Sequence, residues 1–238
     1  MNTHKSVISI IISSFFLLFT VNCDAKLAKL EPLEELTLKL GSFSKVQLDG
    51  GYEVLLIQGN DESISIQVEK DFIKNVKTAI KDGKLHIYNE KNDQDYTVRL
   101  IIRFKNIEEI EFNGGVSLKC KQPLTLSSLN LHVAGGADIK MQLNVKELKC
   151  NLDGGVNAEF AGKVSNLTLN LNGAGRIDAE KLKAENVNAK IAGAGFAVVS
   201  GSNIVDAEIS GIGSIEYTGN PVKVKSVVNG LGSIKEKD

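Results

Sequence analysis

Eight glycine turns recur along this chain, and seven of them fall at almost constant spacing. They read LDGG at Leu48–Gly51, FNGG at Phe112–Gly115, VAGG at Val133–Gly136 and LDGG at Leu152–Gly155. They continue as LNGAG ending at Gly175, IAGAG at Gly195, ISGIG at Gly213 and VNGLG at Gly232. The first glycines are Gly50, Gly114, Gly135, Gly154, Gly173, Gly193, Gly211 and Gly230. From Gly114 onward they are separated by 21, 19, 19, 20, 18 and 19 residues. A fixed period near 19 residues, with one turn per period, is the signature of a solenoid.

Aligned on the first glycine, apolar residues fall into columns. Six positions before it stand Leu129, Leu148, Leu167, Val187, Val205 and Val224; two before it stand Val133, Leu152, Leu171, Ile191, Ile209 and Val228. The same parity continues past the turn with Ile139, Ala158, Ile177, Ala197, Ile215 and Ile234. Intervening positions are polar, as at Asn151, Asp153, Asn170, Asn172, Asp138, Asn157, Arg176 and Asp178. Alternation with period two marks half-buried strands, so an all-β, single-stranded solenoid with one glycine turn per coil of about 19 residues is expected. Asn or Asp precedes the first glycine in five turns, and glycine reaches a left-handed backbone without a Cβ penalty; a positive φ is therefore expected at each first glycine. A phosphate-loop reading fails, because no helical pattern follows these turns and no GK[ST] occurs.

The length of 238 residues suits one elongated domain with a small cap, and the net charge of −1 gives no electrostatic footprint for nucleic acid. Residues 1–25 read as an export signal: Lys5 precedes a 15-residue apolar stretch, Val7–Val21, too short to span a bilayer comfortably. Two cleavage readings stand. Cys23 can be the lipidated first residue of the mature chain, or Cys23-Asp24-Ala25 can direct cleavage before Lys26. Membrane attachment is expected only through such a lipid. Residues 26–42 then form a tether or a first edge element, 43–105 an N-terminal β part, and 106–238 the repeated coils.

Cys120 and Cys150 fall on inward columns of different phase. Burial as free thiols is the plainer reading, and export also permits a disulfide.

The segment from Phe43 to Asn89 resembles the opening of the bacterial "putative auto-transporter adhesin, head GIN domain" family. The matching residues are Phe43, Val46, Leu48 and Gly50, then VLLIQG at Val54–Gly59, then DGKLHI at Asp82–Ile87. SGIGSIEYTGNP at Ser210–Pro221 and NGLGSI at Asn229–Ile234 resemble its closing motifs. The resemblance implies a right-handed β-helix-like fold, a location in the periplasm or at the outer membrane or cell surface of a Gram-negative bacterium, and a role in adhesion. It carries no catalytic residues to transfer.

Chemistry was sought against that background. Asp138, Glu159, Arg176 and Asp178 share outward phases on neighbouring coils and could serve a pectin-lyase-like, polysaccharide-active enzyme. A mixed-sign solvent face explains the same residues more simply. His86 and His132 alternate outward with no Cys or Glu at zinc-ligand spacing, so no metal, cofactor or catalytic residue is assigned. Left-handed acyltransferase helices are disfavoured, since they repeat by hexapeptides. Phe196 and Val198 are the one apolar pair at outward positions in the repeats. They mark either an interaction patch or a place where a loop, strand or side chain folds over. The expectation is a non-catalytic exported module that binds a surface ligand, glycan or protein, or a second copy of itself.

Overall fold

The computed structural model describes residues 33–90 and 97–237. Apart from one 3-10 turn at Ile73–Asn75, its regular elements are all strands. The chain folds as a β-solenoid of about six turns with coils about 20 residues apart, in agreement with the glycine period. The signal segment and Cys23 lie outside the described residues.

The stack starts at β2 (Lys45–Gln58). On one side β2 pairs in parallel with β7 (Glu109–Cys120), Gly50 opposite Gly114. On the other side it pairs in parallel with β5 (Lys84–Asn89) and β6 (Val98–Phe104). Two further strands flank these antiparallel: β4 (Val76–Lys81) on β5 and β3 (Ser63–Glu69) on β6. Finally β1 (Leu33–Lys39) lies antiparallel on β3. Part of the stretch read as tether or edge element is thus an edge strand. The antiparallel flank ends the parallel stack, as terminal repeats of solenoids must.

From β7 the parallel ladder runs through β8 (Leu124–Leu171), β9 (Ala174–Ile191), β10 (Ala194–Ile209) and β11 (Ile212–Thr218), with register shifts at Glu159/Ala161, Val199/Ser200 and Gly201/Ile204. It ends at β12 (Lys223–Val228) on β10 and β13 (Leu231–Glu236) on β11. The inward columns bury as their parity requires, Leu129, Leu148, Leu167, Val187 and Val205 among them. Each such aliphatic side chain contributes about 1.5–3 kcal/mol of transfer free energy. Cys150 is fully buried and Cys120 half-buried, and both are free thiols.

The two turn types differ in a way their spacing does not reveal. First glycines of GG turns have positive φ: 134° at Gly50, 135° at Gly114, 144° at Gly135 and 153° at Gly154. First glycines of GxG turns (Gly173, Gly193, Gly211 and Gly230) are not among the positive-φ glycines, which corrects the expectation for half the turns. Crowding between coils is what requires glycine there. A Cβ on Gly173 would sit 2.0 Å from the carbonyl oxygen of Gly154, and one on Gly193 only 1.7 Å from that of Gly173. Hydrogen bonds pull these backbones together: Ala194 N donates to Gly173 O at 2.9 Å, and Ile212 N to Gly193 O at 2.9 Å. The second glycines of GG turns (Gly51, Gly115, Gly136 and Gly155) have open space where a Cβ would lie. The same is untrue of the last glycine in GxG, where a Cβ on Gly175 would lie 1.9 Å from Val156 O. One column of glycine is therefore obligatory in the first half of the stack and two in the second.

Candidate binding surface

Strand parity leaves two polar faces, one before the glycine turn and one after it. Before the turn, the first coils build a hydrogen-bonded network around Asp49. Asn113 Nδ2 donates to Asp49 Oδ1 at 2.7 Å, Gln47 Nε2 donates to Oδ2 at 3.1 Å, and His86 Nε2 lies 2.5 Å from Oδ2. Burial pushes the Asp49 pKa upward, but the hydrogen bonds from Asn113, His86 and Gln47 outweigh it, and the carboxyl is held below its ordinary value. Beside it Lys84 Nζ reaches Glu109 at 3.5 Å and Glu111 at 3.3 Å. Burial disfavours the Lys84 ammonium, yet Glu111 and Glu109 hold its pKa above the lysine norm. Further along, asparagine amides bridge successive coils: Asn170 to Asn151 at 2.9 Å and Asn172 to Asp153 at 2.6 Å. Such rungs satisfy polar groups on a flat sheet and also fix the register.

After the turn, Asp138, Glu159, Arg176 and Asp178 do come together in a shallow depression of about 330 Å³. Each is already engaged. Lys140 Nζ lies 2.6 Å from Glu159, and Asn157 Nδ2 donates to Asp138 at 3.3 Å. Asp178 Oδ1 accepts the Glu180 backbone N–H at 3.2 Å, and the Arg176 guanidinium carbon stands 4.5 Å from the centre of the Phe196 ring. The hydrogen bond and charge of Glu159 raise the Lys140 pKa, so this amine stays an ammonium. The structure brings the sequence-derived strip together as a neutralised surface.

Phe196 is half-buried beneath that guanidinium, and Val198 is only 1% exposed. Asp178 and Glu216 flank Val198 in register on the neighbouring coils. Lys237 reaches across the same ground to Glu180, with Asp178 and Glu216 close enough to help Glu180 raise its pKa. The pair therefore offers no free apolar patch. Most of the exposed large apolar side chains lie instead toward the C-terminal end of the stack, where Val224 is 38% exposed against 0% for its column mate Val205 and Leu231 is 70% exposed; Leu33, Leu36 and Ile80 are exposed on the N-terminal flank.

A second concavity lies at the corner about half a repeat from the glycine turns, a groove of about 1090 Å³ crossing coil after coil from Thr125 to Gly219. With strands about 4.8 Å apart, five steps make it about 24 Å long. Leu126, Val145 and Val164 form its floor with Ser200, and Lys146, Lys163 and Lys183 stand at its rim with Ser165 and Ser202. Lys163 is directly opposite Lys183 in the ladder. Lys183 Nζ donates to Glu180 O at 3.1 Å and Ser200 Oγ at 3.4 Å; among the described residues, none of the three lysines has a carboxylate within salt-bridge distance. Sequence reasoning missed this groove because the glycines at its corner, Gly162, Gly201 and Gly219, do not recur in every coil. The signal available was Lys163 and Lys183 at equivalent positions of consecutive repeats.

Among the described residues there is no group of three or more His, Cys, Asp or Glu side chains placed to hold a metal ion, and no helix long and apolar enough to cross a membrane. No curated protein matches the sequence. Among solved structures, the fold is similar to a putative adhesin from Bacteroides fragilis NCTC 9343, at 23% identity and a TM-score of 0.81, covering 86% of this chain and 97% of that one. It is also similar to a putative adhesin from Parabacteroides distasonis ATCC 8503 (18% identity, TM-score 0.69, 87% and 98% covered). A putative lipid binding protein from the same strain aligns at 20% identity and a TM-score of 0.65, with 87% and 97% covered. The family described as putative auto-transporter adhesin, head GIN domain, matches residues 42–221, and the chain belongs to it.

Proposed function

We propose that this protein is an exported, non-catalytic binding module of the bacterial cell envelope, presenting its repeated polar faces to a glycan or protein surface. The observation that carries the reading is the state of the charged strip that the sequence nominates for acid–base chemistry. Glu159 is tied to Lys140, Asp138 to Asn157, Asp178 to the Glu180 backbone N–H and Arg176 to the Phe196 ring, so each of the four charged groups already has a partner within the protein. Family membership and the adhesin descriptions of two structural neighbours support binding as the role. The signal segment supports export, and Cys23 is proposed as the lipid-bearing residue if the mature chain begins there. Mass spectrometry of the mature N-terminus distinguishes a diacylated Cys23 from a chain starting at Lys26.

The test is a glycan-array and whole-cell binding assay with the chain from residue 26 onward. Saturable binding to cells or to a defined glycan supports the module; absence of binding to every surface, together with turnover of a polysaccharide, overturns it. A polysaccharide-active enzyme is the second reading, favoured only by the convergence of Asp138, Glu159, Arg176 and Asp178 in one depression.

A further inference from the structure

The geometry points to the corner groove as the binding site for an extended anionic polysaccharide, a polyuronate being the simplest such ligand. This deepens, and rests on, the reading of the protein as a binding module. Three features converge. The groove is long and open, crossing successive coils at strand spacing, so it accepts a polymer in extended form better than a compact ligand. Its rim is cationic, with Lys146, Lys163 and Lys183 set against Glu185 as the single lining carboxylate. Finally, Lys163 and Lys183 face each other across one ladder rung with no acidic side chain between them. Like charges directly opposite destabilise a sheet pair, and where lysines face each other elsewhere, Lys119 with Lys140 and Lys45 with Lys84, one member has a carboxylate partner: Glu159 for Lys140, Glu109 and Glu111 for Lys84. Among the described residues neither Lys163 nor Lys183 has such a partner. A carboxylate bridging the two ammonium groups would supply the missing countercharge.

The hydroxyls of Thr125, Ser165 and Ser202 are suited to the hydroxyls of a sugar chain. The floor favours a sugar over an acyl chain. Leu126 and Val145 are each only 7% exposed and Val164 is 4% exposed, so they present thin apolar strips that suit the C–H face of a pyranose. A lipid tail needs a deeper apolar slot that buries most of its surface.

The experiment titrates the chain from residue 26 onward with oligogalacturonate, carboxyl-reduced oligogalacturonate and phosphatidylglycerol vesicles, at low and high salt. The expected result is saturable binding to oligogalacturonate alone, weakening as salt rises. Lys163→Glu with Lys183→Glu should weaken it about tenfold or more, Lys163→Arg with Lys183→Arg should retain it, and Lys149→Glu, on the strand face outside the groove, should leave it within twofold. Lys163→Gln with Lys183→Gln serves as the second test if the charge-reversed protein does not fold. Equal binding of the wild type and the Gln or Glu variants, preference for the reduced oligosaccharide, or binding to vesicles alone overturns the groove assignment. Binding to cells without binding to oligogalacturonate overturns the groove while leaving the module intact; failure to bind any surface removes both.

Discussion

Replacing one glycine with alanine separates two reasons for glycine that coincide in the sequence. Gly155 and Gly173 both lack a positive φ, so backbone strain does not distinguish them. At Gly155 a Cβ meets nothing within 4 Å, whereas at Gly173 it would lie 2.0 Å from Gly154 O and 2.4 Å from Gly154 N. Real Cβ contacts stay beyond 3.0 Å, so the two coils must part by about 1 Å, against backbone atoms that cannot rotate away. That shift stretches the bond from Asn172 N to Leu152 O, now 3.0 Å, and drives Gly173 O into Gly193, where space is tighter still. With about 1 kcal/mol for each strained hydrogen bond and 1–3 kcal/mol for overpacking, the Gly173→Ala cost is about 3 kcal/mol. In a domain of this size that lowers Tm by about 6–12 °C. Gly155→Ala should change stability by less than about 0.5 kcal/mol, or raise it slightly by restricting the unfolded chain. Thermal and urea unfolding of the two variants gives the comparison. Equal midpoints would refute the claim that contact between coils dictates the glycine column.

Leu171→Asp places a charge at a fully buried position and should prevent the domain from folding, while Asn170→Asp, one residue away and outward, should fold with a nearly unchanged midpoint; similar midpoints would show the parity to be misassigned. The Asp49 pKa is lowered on folding, so the unfolded state binds more protons and the Asp49 contribution is fully present above about pH 4 and lost as pH falls below it. Asp49→Asn should accordingly flatten the stability profile below about pH 4, and an unchanged acid limb would contradict the network. Burial pushes the Cys150 thiol up to about 12, so alkylation of native protein at neutral pH should modify Cys120 before Cys150; rapid labelling of Cys150 would show that the coil opens.

Where structure follows from local repetition, it was legible. The glycine period fixed the coil length, and the inward parity of Leu152, Leu171 and Ile191 was readable because each repeat states it again. Features that depend on contacts between unlike segments were not. Val198 sits at an outward position yet is buried, because Asp178, Glu216 and the ion pair of Lys237 with Glu180 surround it from three other coils. Val224 has the pattern of a core residue but is exposed, because its strand, β12, pairs only with β10 among the described residues. The antiparallel flank of β1, β3 and β4 shows no 19-residue period, since its strands end the stack instead of continuing it. The charged strip was found by its phase, but its neutrality was not, because Lys140 and Phe196 supply the decisive contacts from outside the set.

The central claim is that these surfaces bind without catalysing, and an assay for turnover tests it most directly. Purified protein from residue 26 onward is incubated with polyuronates, peptidoglycan and acylated sugars while new reducing ends, unsaturated products and released acyl groups are followed. No product above background is predicted, for the wild type and for alanine variants at Asp138, Glu159, Arg176 and Asp178 alike. Turnover by the wild type that any of these replacements abolishes would contradict the account and make the strip an active site.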